Sequence, residues 1–136
     1  MAASPVQLLR SRFSAYCKAK VDYILSTTHA DNSQLKVGGS RSPDGKLLST
    51  FREDVEATCS KIRFSELNVG KEEDTPAPHV KVVTFEYKVS IVGQRGFGGR
   101  MSGAERVTET SVFVQEDGRW LFLDSRDVLK NTLPVK

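Results

Sequence analysis

The dipeptide Asp117-Gly118 lies between two patterned runs, Glu105 to Glu116 and Trp120 to Asp124, and constrains this chain more than any other feature. A two-residue loop of this type makes a tight hairpin, because glycine accepts the positive φ that the favoured turns demand. With that loop fixed, Glu116 lies opposite Arg119, and the register predicts Phe113 opposite Phe122 and Ser111 opposite Asp124. One side of the hairpin then carries Glu109, Ser111, Phe113, Trp120, Phe122 and Asp124, aromatic walls with polar groups between them. The other carries Val112, Val114, Leu121 and Leu123, all aliphatic. The mixed side suits a pocket. The aliphatic side suits core or a sheet-to-sheet contact, and if helices cover the mixed side it predicts a homodimer.

The same period of two runs through Val80 to Val92, where Val83, Phe85, Tyr87, Val89 and Ile91 alternate with polar residues. A further strand is expected at Ile62 to Val69. Before them the period is helical. Ser4-Pro5 reads as an N-cap followed by proline in the first turn. Leu8, Leu9, Arg12, Phe13, Ala15, Tyr16 and Ala19 then mark one buried face over residues 5–19. A short helix is predicted from Val21 to Thr27, a loop from Asp31 to Gly45, and a third helix from Lys46 to Ser60. The acidic run Lys71 to Asp74 reads as a solvated turn. Three helices followed by about four antiparallel strands define an α+β fold, helices on one side of a curved sheet, within one domain over residues 1–136.

Composition excludes several classes. The net charge is +3, and basic and acidic residues balance at 10 each over residues 71–136, so no basic stripe marks a nucleic-acid binder. Cys17 and Cys59 stand 42 positions apart with only two histidines in the chain, too few ligands for a zinc framework. Both thiols read as reduced, buried, small apolar residues, pointing to a reducing compartment, cytoplasm or organelle stroma, and not to secretion. Apolar runs fall short of a membrane span. The segment Gly93 to Gly103 holds five glycines with Arg95, Phe97 and Arg100. It resembles half of an RGG-type box but reads as a long hairpin loop, and its spacing fails the dinucleotide fingerprint. No cofactor is implied.

The segment LLRSRFSAYCKAKVDYILSTTH, Leu8 to His29, resembles the opening of the central domain of the YchJ family. The segment ETSVFVQEDGRWLFLD, Glu109 to Asp124, is similar to the same family's closing pattern, with looser similarity at FSELNV and VTFEYKV. The resemblance implies a nuclear transport factor two-like fold, a cone of helices on a bent antiparallel sheet. It carries no established activity. The flanking SEC-C zinc motifs of that family are missing from this sequence, so their metal role does not transfer. Ala30, Ser125 and Phe64 stand where the family commonly has proline, glycine and tryptophan. The long Gly93 to Ala104 insertion suggests a eukaryotic branch.

Within that frame Arg12 is the most informative residue. Helical spacing turns it toward the sheet, and a buried arginine demands a partner, for which Glu109 and Asp124 are the candidates. Arg12, Tyr16, Tyr23, Glu109, Ser111, Phe113, Trp120 and Asp124 form the expected ligand-binding set. His29, Glu109 and Asp124 are the candidate acid–base groups, with His29 alternatively capping helical carbonyls. Two function classes follow: a binding or interaction module for a small apolar or anionic ligand, or a small hydrolase or isomerase using Glu109 or Asp124.

Overall fold

The structure, a computed structural model, describes residues 2–92 and 105–127. The glycine-rich Gly93 to Ala104 segment lies outside the described residues.

Helix α1 spans Pro5–Cys17, and its Ser4 cap accepts the Gln7 N–H at 3.1 Å. The helix stops at Cys17, short of the expected residue 19, because Ala19 turns left-handed with φ of 55°. Helix α2 spans Val21–Ser26, and a single turn, α3, spans Ser33–Lys36. Strands β1 (Gly39–Arg41) and β2 (Leu47–Thr50) form a small hairpin where a loop and a helix start were expected. The third long helix, α4, therefore begins at Phe51 and runs to Lys61. Thr50 sets that boundary. Its hydroxyl accepts the Glu53 N–H while the Glu53 carboxylate accepts the Thr50 N–H at 2.8 Å, a reciprocal cap that overrides the apolar spacing of Leu47 and Leu48.

Four antiparallel strands make the main sheet in the order β3 (Ile62–Asp74), β4 (Val80–Ile91), β5 (Glu105–Glu116), β6 (Arg119–Ser125). The acidic run is no turn: Glu72, Glu73 and Asp74 pair with Val83, Val82 and Lys81 as the outer end of β3. Two bulges carry the strand that far. At the second, a Cβ on Gly70 would stand 2.9 Å from the Thr84 carbonyl oxygen, so only glycine lets the strands approach.

The core lies between α1 and the sheet, where Leu8 and Leu9 meet Val83, Phe85, Tyr87, Phe113 and Trp120. The edge of β6 is closed by the chain leaving α2. Phe122 N–H donates to Thr27 O at 2.9 Å, and His29 N–H to Phe122 O at 2.8 Å. On the far face of the sheet, Val82, Val112 and Leu121 are only 9%, 7% and 5% exposed within the single chain. Half of the aliphatic strip is thus covered within the single chain, while Val114 and Leu123 stay partly exposed. Among the described residues no helix is long and apolar enough to cross a membrane.

Candidate functional site

Between α1, α4 and the sheet lies a partly enclosed cleft of about 260 Å³. Leu9, Arg12, Phe13 and Tyr16 of α1 and Thr58 of α4 form its roof. Phe64, Phe85, Tyr87, Glu109, Ser111, Phe113 and Phe122 form its floor and sides. The aromatic wall is one contact network. Phe64 lies 6.1 Å from Phe13, 5.6 Å from Tyr16 and 5.8 Å from Tyr87, and Tyr87 stacks on Phe85 at 5.7 Å. Alternation on β4 and β5 builds it: Val83, Phe85 and Tyr87 pair with Ser111, Glu109 and Val107, so all six share the helix-facing side.

Arg12 is buried, but neither expected carboxylate is its partner. Its Nη1 donates to Ile24 O at 2.9 Å, Thr27 Oγ1 at 2.8 Å and Thr28 Oγ1 at 3.1 Å, all at the end of α2. Its Cζ lies 4.7 Å from the centre of the Phe122 ring. Burial pulls the guanidinium below its usual range, opposed by Tyr16 and Tyr23. Burial also raises the Tyr16 hydroxyl, with Arg12 opposing it.

The reason Asp124 misses Arg12 is one extra residue. Phe113 pairs with Phe122 as expected, but β6 bulges there, so Val112 meets Asp124 and Ser111 meets Ser125. The bulge turns Asp124 off the mixed side. Its carboxylate accepts the Ser33 N–H at 2.8 Å and the Asn32 side-chain amide at 3.4 Å, holding the start of α3. Glu109 stays on the cleft side, exposed, and its charge acts on the buried Tyr87 hydroxyl. Tyr87 is raised far above its usual range, first by burial and then by the Glu109 carboxylate.

Of the sequence-derived set, Arg12, Tyr16, Glu109, Ser111 and Phe113 line the cleft. Tyr23 instead faces a separate hollow with Ser14, Lys18 and Arg52, its hydroxyl 2.5 Å from Ser11 Oγ. Trp120 is packed in the core and Asp124 lies behind the bulge, so neither forms the cleft wall. His29 caps no helix: its Nδ1 accepts the Asp31 N–H at 3.0 Å and its Nε2 lies 2.7 Å from Glu116. It shares a shallow hollow with His79, yet among the described residues no group of three or more His, Cys, Asp or Glu is placed to hold a metal. Both cysteines are free thiols, and Cys17 is exposed rather than buried, its Sγ 3.4 Å from Phe64 O. Sequence reasoning left Phe64, Phe85 and Tyr87 out of the site. The inward positions of β4 were readable from their alternation, but the long connection to β5 hid which of them would meet Glu109.

The model for the middle NTF2-like domain of YchJ matches residues 4–125. The chain belongs to the YchJ family. The UPF0225 protein of Chromobacterium violaceum is a relative 32% identical over 116 residues, 85% of this chain and 68% of its own length. That of Xanthomonas campestris is 29% identical over 119 residues, 88% of this chain and 72% of its own. Among solved structures, a SEC-C motif containing protein from Rhodopseudomonas palustris shares 27% identity with a TM-score of 0.60, covering 91% of this chain and 78% of that one. An uncharacterised protein with a cystatin-like fold from Caulobacter vibrioides, 17% identical with a TM-score of 0.57, shares the fold. The YchJ blocks at Leu8 to His29 and Glu109 to Asp124 are the segments that build the roof of the cleft and much of its floor.

Proposed function

We propose that this YchJ-type domain is a small-ligand-binding module and that the cleft under α1 is its binding site. The observation that supports this reading is the makeup of the cleft: a continuous aromatic wall with a few convergent polar groups, Arg12, Tyr16, Ser111 and Glu109. Binding sites for small molecules have this composition, apolar surface for affinity and sparse polar groups for orientation. The hydrolase or isomerase alternative is less well supported. Asp124 is engaged behind the bulge, and Glu109 is left with Tyr87, a hydroxyl whose proton is held too tightly for exchange near neutrality. The test is an amide chemical-shift titration of the full chain with a neutral bicyclic fragment, 2-naphthylmethanol. Shifts concentrated at Arg12, Tyr16, Tyr87, Ser111 and Phe122 are expected. Shifts confined to the hollow around Tyr23 and Arg52 would refute the assignment.

A further inference from the structure

Building on the cleft as the binding site, we infer that its ligand is an aromatic monocarboxylate of one or two rings, with Arg12 as the group that takes the carboxylate. Arg12 is 7% exposed and lines the cleft. Its partners are all neutral: a carbonyl and two threonine hydroxyls on Nη1, the neighbouring Tyr16 hydroxyl, and an aromatic face that offers only a quadrupole. Among the described residues no carboxylate comes within ion-pair distance of it. A positive charge therefore stands in the wall of the cleft, held by hydrogen bonds to neutral oxygens but with no counter-ion among the described residues, and an anion entering the cleft supplies one.

The geometry narrows the class. All three hydrogen bonds to the α2 end come from Nη1, so Nε and Nη2 of the planar fork, beside the Tyr16 hydroxyl, face a carboxylate whose two oxygens match it. The hydroxyls of Tyr16 and Ser111 line the same cleft and add further donors. One arginine neutralises one charge, which favours a monoanion over a phosphate. The wall of Phe64, Phe85 and Tyr87 takes a flat ring by offset or edge contacts, and about 260 Å³ admits one or two fused rings. Glu109 is the competing charge, but it is exposed, so water screens it.

The experiment titrates the full chain with 2-naphthoate, 2-naphthylmethanol and 2-naphthylmethylammonium, one ring system in three charge states, following the amides of Arg12, Ser111 and Phe122. The acid is expected to bind about tenfold or more tighter than the alcohol, and the ammonium weakest. Glu109→Gln is expected to strengthen naphthoate binding by removing a like charge, and Arg12→Met to bring the acid down to the level of the alcohol. Should Arg12→Met fail to fold, the wild-type series and Glu109→Gln decide the matter. An alcohol that binds as tightly as the acid overturns the anionic ligand while leaving the cleft reading intact. Three compounds that leave those amides unmoved at millimolar concentration overturn both.

Discussion

Arg12 holds the roof of the cleft to the rest of the molecule through neutral oxygens, and that has a measurable consequence. Charged hydrogen bonds of this kind are each worth about 1.5–3 kcal/mol, but replacing the side chain also removes an uncompensated charge, so the terms oppose. Arg12→Met should therefore destabilise by about 1–3 kcal/mol, below the 3–5 kcal/mol of a broken buried ion pair. Combined with Glu109→Gln in denaturant unfolding, the two changes should add to within about 0.5 kcal/mol. A larger coupling would restore the direct Arg12–Glu109 pair that the sequence suggested. Tyr87 offers a second residue-level check. Its hydroxyl is held protonated by burial and by Glu109, so the native state keeps a proton that the unfolded chain loses near pH 10. Native binds more protons there, so this group's contribution is present below pH 10 and is lost as pH rises above it. In ultraviolet titration Glu109→Gln should move the Tyr87 transition down toward its ordinary value, with burial keeping it from returning fully. An unchanged midpoint would mean that the carboxylate does not face the hydroxyl.

Among the elements, the β1–β2 hairpin shows where local chemistry outweighs periodicity. Asp54 on α4 gathers it: the Ser49 and Ser40 hydroxyls and the Gln34 amide all donate to its carboxylate, the last two at 2.8 Å and 2.6 Å. These bonds, Ser49 first, hold its pKa below the usual carboxylate range. A depressed pKa means that stability is fully present above the unfolded value near pH 4 and is lost as pH falls through the folded one. Asp54→Asn should flatten that acid limb of stability and speed amide exchange in residues 39–50, and an acid limb identical to wild type would count against the hub. What could be read from sequence divides along the same physical line. The cap at Ser4-Pro5, the alternation of β4 and the Asp117-Gly118 turn are signals carried by adjacent residues, and the elements formed where those signals put them. The Thr50–Glu53 cap was an equally local signal, overlooked beside the spacing of Leu47 and Leu48. The β6 bulge was not readable. One inserted residue leaves the composition unchanged yet reverses the side on which Asp124 falls, and it sits where Phe122 pairs with the end of α2, a tertiary contact that no local pattern marks. Arg12 was correctly turned inward by helical spacing, but its partners are a carbonyl and two hydroxyls from residues 24–28 that no charge pattern marks.

At the scale of the whole molecule, helices on one face of a four-stranded sheet leave a wedge that α1 and α4 roof over, and the aromatic positions of β3 and β4 finish its wall. The YchJ resemblance and the strand pattern pointed to this architecture independently, one through the blocks at either end of the chain and the other through alternation. The central claim is that the wedge is where this domain takes its ligand. Thr58 on α4 lines it, and its hydroxyl bonds within its own helix, to Asp54 O at 3.0 Å. A tryptophan at that position places an indole in the space while the anchoring of α1 through Arg12 is untouched. The decisive measurement is the affinity of Thr58→Trp for 2-naphthylmethanol, with its melting temperature as the control for folding. The account predicts at least about a tenfold loss of affinity with folding retained, and an unchanged affinity in a folded variant would contradict it.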